Sequence, residues 1–361
     1  MELLSWGQWV GDLKGSNQGT IILNIDEDKP GYGGLYFYDR NADLSSYNAA
    51  VEFQATPEAL IGHVKNMQPV EPPKMTDEVL PTSATLKVVR HLPNIVEGTW
   101  VADNGQKGEF SMHRRESTQP CVKHTTIEWA DFIHFALEQK RQNPNLVFRG
   151  QPDSNLPLRT SFHRTNRRDI LRFSQSDMKK LNENLKAKGM SSYDLGNPED
   201  FARLLSLAQH HGYPTPLLDW SDSPLVAAYF AFKNLRKTDS AGCVRIYFFD
   251  CQKWELEGQG FRSSAIYDPR FTLTTLRISG EGNERATPQQ SLFTFTNITD
   301  IEHWVTAHEK VGGEFIRAYD IKKSSARNAI LDLDRMNINA DYLLPGLDGS
   351  FEAIRQREFY L

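Results

Sequence analysis

The sequence predicts an α+β fold in two parts: an antiparallel β sandwich or barrel over residues 1–118, then a mixed α/β domain over residues 127–361. Three observations carry this. Short β-branched and aromatic runs recur between residues 20 and 116, parted by Gly, Asn, Asp or Pro. From about residue 127 the apolar period changes to 3.6, in segments that alternate with short strands. The length, 361 residues with 39% apolar and 24% charged, suffices for two cores without disulfide staples.

In the first part TIILNID, GLYFYD, AVEFQA, TLKVVRHL, GTWVAD and GEFSMHR read as strands. NGQKG at 104–108 joins the last two as a hairpin loop, and PVEPPK at 69–74 marks a connection, since proline cannot donate to a sheet ladder. Trp6, Trp9, Tyr32, Tyr36, Tyr38 and Trp100 are core or, where exposed, a recognition face. Nothing here has catalytic spacing, so the part reads as a binding or docking module.

In the second part Trp129, Phe132, Ile133 and Ala136 make 127–140 an amphipathic helix, and LVFRG at 146–150 a strand with Arg149 at its end. A helix follows Asn197, with Pro198 in its first turn and Gly212 as its stop. SDSPLVAAYFAFKNLRK, capped by Ser or Asp and apolar all round, predicts a buried helix starting at Pro224, and CVRIYFFD at 243–250 the next strand.

Forty-one Lys plus Arg against 46 Asp plus Glu leave a net charge of −5, which argues against a general polyanion binder but permits a local basic patch. The three cysteines lack CxxC spacing, the first fifteen residues lack the features of a secretion signal, and the longest apolar run, LVAAYFAF at 225–232, is short of a membrane span. A cytoplasmic protein without membrane contact is expected. Neither GxxxxGK[ST] nor GxGxxG occurs, which removes P-loop, kinase and Rossmann readings, and no HExxH or HxE with CxxC supports a metal site.

The chemistry-bearing residues concentrate in FRG at 148–150 and QHHGYPTPLLDWSDSPLVAAYFAF at 209–232. These segments resemble the FRG-domain family, whose downstream motif has the form QHxGxPTxLLDWTxxPxxAxxFA. LRTSFHR at 158–164 is similar to the family's LxPSLFR segment; Arg285, Gln289 and Phe293 fall on its RxxxQxGxF pattern; and LLPGLDG at 343–349 closes a likeness spanning about 127–356. Ser221 stands where Thr is common, Pro216 where an Arg often sits, and Ser291 where Gly is usual.

The order of motifs is also similar to that of ADP-ribosyltransferases, which implies a split-sheet fold and NAD as substrate, with no metal. On that resemblance Arg149 clamps the pyrophosphate, Thr215 and Ser221 hold ribose or amide, and Gln289 falls where a catalytic Glu is expected. A glutamine cannot ionise, so Asp219, or another acid such as Glu284, must supply the charge while Gln289 orients the acceptor. Arg164, His211 and Trp220 complete the expected nucleotide-binding set. The acceptor would be an unidentified macromolecule or water, the N-terminal part would select the target or hold the enzyme silent, and a toxin or phage-defence effector is implied.

Each of these residues has a structural alternative. Arg149 and Asp219 could form a buried ion pair, His210 and His211 cap a helix, and Trp220 fill the core. RTSFHRTNRRDILR at 159–172 sets Arg159, Arg164, Arg167, Arg168 and Arg172 against one acid, Asp169. Arg159, Arg167, Arg168 and Arg172 therefore define the rival reading, a non-catalytic module that engages nucleic acid or an acidic partner.

Overall fold

The computed structural model describes residues 2–41, 44–70, 79–236, 238–257, 270–276 and 286–360. Eight strands open the chain: β1 (Gly7–Gly15), β2 (Gly19–Ile25), β3 (Tyr32–Asp39), β4 (Tyr47–Ala55), β5 (Leu60–Pro69), β6 (Ala84–Leu92), β7 (Ile95–Ala102) and β8 (Lys107–Arg114). Each pairs antiparallel with the next and β8 returns to β1, so the sheet is a closed barrel rather than a sandwich. At the closing seam a Cβ on Gly11 would stand 1.8 Å from the Ser111 carbonyl oxygen, so only glycine lets β1 and β8 approach this closely.

The interior takes Trp9, Leu23, Leu35, Val51, Leu60, Leu86, Val96 and Met112, one from each strand in turn. Tyr36 and Trp100 are also buried, whereas Tyr32 is exposed and Trp6 and Tyr38 are half-buried. The loop at 104–108 is the expected β7–β8 hairpin, with the Ala102 N–H donating to the Gln106 carbonyl at 2.8 Å. Pro69 ends β5, and residues 71–74 of the expected connection lie outside the described residues.

Next come β9 (His124–Thr126), α1 (Trp129–Gln142), β10 (Leu146–Gln151), α2 (Ser161–Arg164), α3 (Ile170–Arg172), α4 (Met178–Ala187) and α5 (Pro198–His210). A π-helical turn, Phe173–Asp177, joins α3 to α4. The chain continues through β11 (Leu217–Ser221), α6 (Pro224–Phe232), β12 (Cys243–Asp250), α7 (Cys251–Glu257), β13 (Leu273–Leu276), α8 (Ala286–Gln289) and β14 (Ser291–Thr296). It ends with α9 (Ile301–Gly312), β15 (Ile316–Lys322), α10 (Ala326–Arg335), α11 (Ala340–Leu343) and α12 (Leu347–Arg355).

Two compact units emerge, and their boundary is not one cut near residue 118: the first takes the described residues within 1–116, 160–204 and 263–272, the second the remainder. The return of 160–204 to the barrel unit has a visible cause. β6 and β7 show alternation, as strands with one wet face must, but six of the seven β2 residues are buried. The outward Ile22 packs with Tyr36 and with Leu171 of α3, so the inserted segment covers this side of the barrel.

Asp26, at the end of β2 and 1% exposed, ties the segment down. Its Oδ1 accepts the Arg168 and Asp169 N–H groups at 2.5 and 2.8 Å, and its Oδ2 accepts Arg167 Nε and Arg172 Nη1, both at 2.8 Å. Arg172 also reaches Asp28, Arg167 reaches Asp177 at 2.6 Å, and Arg168 forms a fork with Glu116 at 2.6 and 2.9 Å.

Asp169 caps α3 by accepting the Arg172 N–H at 3.0 Å. Burial pushes its carboxyl up to about 7 against that bond, and the Asp26 charge adds to the rise. A carboxyl raised on folding keeps its proton where the unfolded chain has lost it, so this group makes stability fall as pH climbs from 3.8 to about 7. Asp169→Asn keeps the cap acceptor and removes the charge. It is expected to stabilise the barrel unit above pH 7 by on the order of 2 kcal/mol and to flatten the pH dependence, read from urea unfolding at pH 5 and 8.

In the second unit seven strands run in the order β13-β14-β11-β10-β12-β15-β9, antiparallel except for the β15–β9 pair. On one face Phe132 of α1, Ala227 and Ala231 of α6 and Leu333 of α10 pack with Phe148, Ile246 and Phe248 of the sheet. Eight of the nine α6 residues are buried, as its apolar circumference requires; Pro224 opens it, and Ser223 Oγ accepts the Val226 N–H at 3.3 Å. Buried Glu302 of α9 accepts from Cys121 N, Val122 N, Leu158 N and Tyr247 Oη at 2.6–3.0 Å.

Candidate functional site

Arg149 lies on β10 and pairs with Tyr247 of β12, while its neighbour Phe148 pairs with Ser221 of β11. Its side chain is 15% exposed; Nη1 donates to the Asp219 carbonyl at 2.7 Å and stands 3.7 Å from the Asp219 carboxylate. Arg149 Nε is buried and meets no acceptor among the described residues. A guanidinium with an unspent N–H is one that an added oxyanion can complete.

Asp219, half exposed on β11, is oriented from a second side: Gln209 Nε2 donates to its Oδ2 at 2.8 Å, and Gln209 Oε1 accepts the hydroxyl of the fully buried Thr215. A continuous chain thus runs Thr215–Gln209–Asp219–Arg149. Gln209 was not among the expected site residues, although it is the first letter of the QHHG segment.

Two strand positions on, Ser221 Oγ donates to the Gln289 carbonyl at 2.8 Å and accepts the Ser223 N–H at 3.1 Å. Gln289 ends α8, directly before β14, and its Nε2 donates to the Leu343 carbonyl at 2.9 Å, inside the LLPGLDG segment. The structure joins Arg149 with Asp219 and Thr215, and Ser221 with Gln289. Glu284 and Arg285 lie outside the described residues.

The other expected residues go elsewhere. Trp220 is 3% exposed, its Nε1 donates to Thr294 Oγ1 at 3.0 Å, and its ring lies 5.2 Å from Phe249, so it is a core residue rather than an open stacking platform. His211 is exposed just past α5 with its ring 5.1 Å from that of His210. Arg164 is exposed on α2 in the first unit.

Arg159 donates to the Ser117 carbonyl at 2.5 Å. Arg167, Arg168 and Arg172 are matched by Asp26, Asp177, Glu116 and Asp28, and Arg168 is 1% exposed, so this arginine run is largely neutralised within its own unit.

Among the described residues no group of three His, Cys, Asp or Glu is placed to hold a metal ion, and no helix is long and apolar enough to cross a membrane.

The model of the FRG domain matches residues 144–240, a shorter stretch than the sequence likeness, and includes β10, Gln209, Thr215, Asp219 and Ser221. No curated protein matches the chain. Among solved structures a de novo designed fluorescence-activating β barrel matches at 15% identity and a TM-score of 0.22, over 31% of this chain and 94% of that one.

Proposed function

We propose that the FRG domain binds NAD or a related nucleotide at Arg149, Asp219, Ser221 and Gln289 and cleaves its nicotinamide–ribose bond, passing ADP-ribose to a macromolecule or to water. One observation carries the reading: β14, β11 and β10 are neighbours, so the residues that resemble the three ADP-ribosyltransferase motifs come from adjacent strands or, for Gln289, from the turn that leads into one. The unspent Arg149 Nε supports the phosphate role, and the half-exposed Asp219 carboxylate supports the electrostatic one.

In the proposed reaction the C1′–N bond breaks with its electron pair leaving on nicotinamide. Asp219 stabilises the positive charge left on the ribose, and Gln289 orients the incoming nucleophile, which adds at C1′ and gives up a proton. Thr215 acts through Gln209 by fixing Asp219. The barrel unit selects the target of a cytoplasmic effector, as a toxin or phage-defence protein would.

Incubation of the full chain with labelled NAD, alone and with cell lysate, tests this by following nicotinamide release and label transfer. Arg149→Ala and Asp219→Asn are each expected to lower turnover about 10²-fold or more with an unchanged circular dichroism spectrum. Equal turnover in Arg149→Ala, or no turnover and no NAD binding by the folded wild type, would overturn the assignment. NAD bound without release would favour a non-catalytic module, the reading that Gln289 in a glutamate's place supports.

A further inference from the structure

The eight strands do not fill their barrel evenly. Its hairpin ends β1–β2, β3–β4, β5–β6 and β7–β8 lie together at one end, since each odd strand finishes where the next begins. At this end Leu13, Ile21, Phe37, Leu86 and Trp100 line a cavity together with Asn17. The cavity holds about 50 Å³, and about 500 Å³ when the solvent-filled space at its mouth is counted with it. An eight-stranded barrel is at the size where the interior is either filled by side chains or holds one small ligand.

Asn17 decides between these. It is 7% exposed, and its Nδ2 donates at 2.9 Å to Oδ2 of Asp39, itself 2% exposed. A carboxylate oxygen only accepts, so the NH2 group must face Asp39 and the oxygen must be the other atom. That Oδ1 is buried with no partner among the described residues. The wall is mostly apolar, Tyr47 and Gln106 being its other polar side chains. A buried acceptor left open there costs stability unless a donor arrives, and Asp39, held by the Asn41 N–H at 2.9 Å, prevents the amide from turning to find one.

We infer that the barrel is a small-molecule site, for a neutral compound with an apolar body and one N–H or O–H donor that meets Asn17 Oδ1. The body sits against Leu86 and Trp100, and charged ligands are excluded because the wall offers no countercharge to a desolvated ion. The barrel unit thereby gains a sensing role independent of the nucleotide site.

Phenol and toluene have the same shape and differ in the donor. Titrated into the full-length protein, phenol is expected to shift the methyl resonances of Leu13, Ile21 and Leu86 and the Trp100 indole, with an affinity roughly tenfold above that of toluene. Asn17→Leu is expected to erase the preference, and Ala84→Leu, which fills the cavity from its rim, to weaken both ligands while the circular dichroism spectrum stays unchanged. Equal binding of the two compounds, shifts confined to other residues, or no binding of either at millimolar concentration, as when a held water satisfies Asn17, would each overturn the inference.

Discussion

Gly150→Ala is expected to destabilise the second unit by about 3 kcal/mol or more, a fall in Tm of roughly 6–12 °C, although it adds one methyl group. A Cβ at this position would stand 1.9 Å from the Ala227 carbonyl oxygen and 2.8 Å from the Ala231 nitrogen. Both are backbone atoms of α6, so no rotamer change relieves the clash; the helix must lift off β10 and take its eight buried residues with it. This gives the third letter of the FRG motif a packing reason. Differential scanning calorimetry measures the effect, with Gly105→Ala as a control that costs about 1 kcal/mol, because that glycine has a φ of 88° but open space around it. A loss at Gly150 no larger than at Gly105 would mean that α6 can shift without penalty.

Asp26→Ala is expected to cost about 3–5 kcal/mol in the barrel unit. Four donors converge on this carboxylate, two of them guanidiniums and two the backbone N–H groups of Arg168 and Asp169. Arg172 keeps Asp28 and Arg167 keeps Asp177, but the two N–H groups are left buried and unpaired. Asp26→Asn returns one acceptor oxygen and turns an NH2 group toward other donors, so an intermediate loss is expected. Urea unfolding gives the size of the loss, and hydrogen exchange at residues 166–172 locates it; protection there equal to wild type in Asp26→Ala would contradict the anchoring role.

The barrel was legible because period-2 alternation is written in the residues themselves. Sandwich and barrel share that alternation, and the choice rests on the β1–β8 seam, where Gly11 meets Ser111 across a hundred residues of sequence. The inserted segment was not legible: a helical pattern at 170–187 does not say which sheet it covers, and the one signal was the unbroken apolar run Ile21–Ile22–Leu23 in β2. The arginine run misled for the same reason. Apart from Asp177, which lies just past the run, its acids, Asp26, Asp28 and Glu116, are 52–146 residues away in the chain, so the local count of charges described an excess that the fold removes.

For the candidate site, the motifs singled out Arg149, Thr215, Asp219 and Ser221, but of these only Arg149 lies on a strand that the apolar period had identified, and β11 was not expected. They could not show that Gln209 links Thr215 to Asp219, or that Gln289 turns its amide to Leu343, since both depend on where a side chain points after the sheet has formed.

The covering of β2 by residues some 140 positions downstream also sets an order of events during synthesis. Arg168 and Asp26 are separated by 142 residues. A nascent chain that has released all eight barrel strands still shows Ile22 and Tyr36 to water and leaves Asp26 without its four donors, until Leu171 and the arginines leave the ribosome. A gene fragment ending after β8 therefore encodes a barrel with one sticky side. Such a fragment is expected to expose Ile22 and Tyr36, and a single crossover between the β-rich and mixed parts would part Asp26 from its donors.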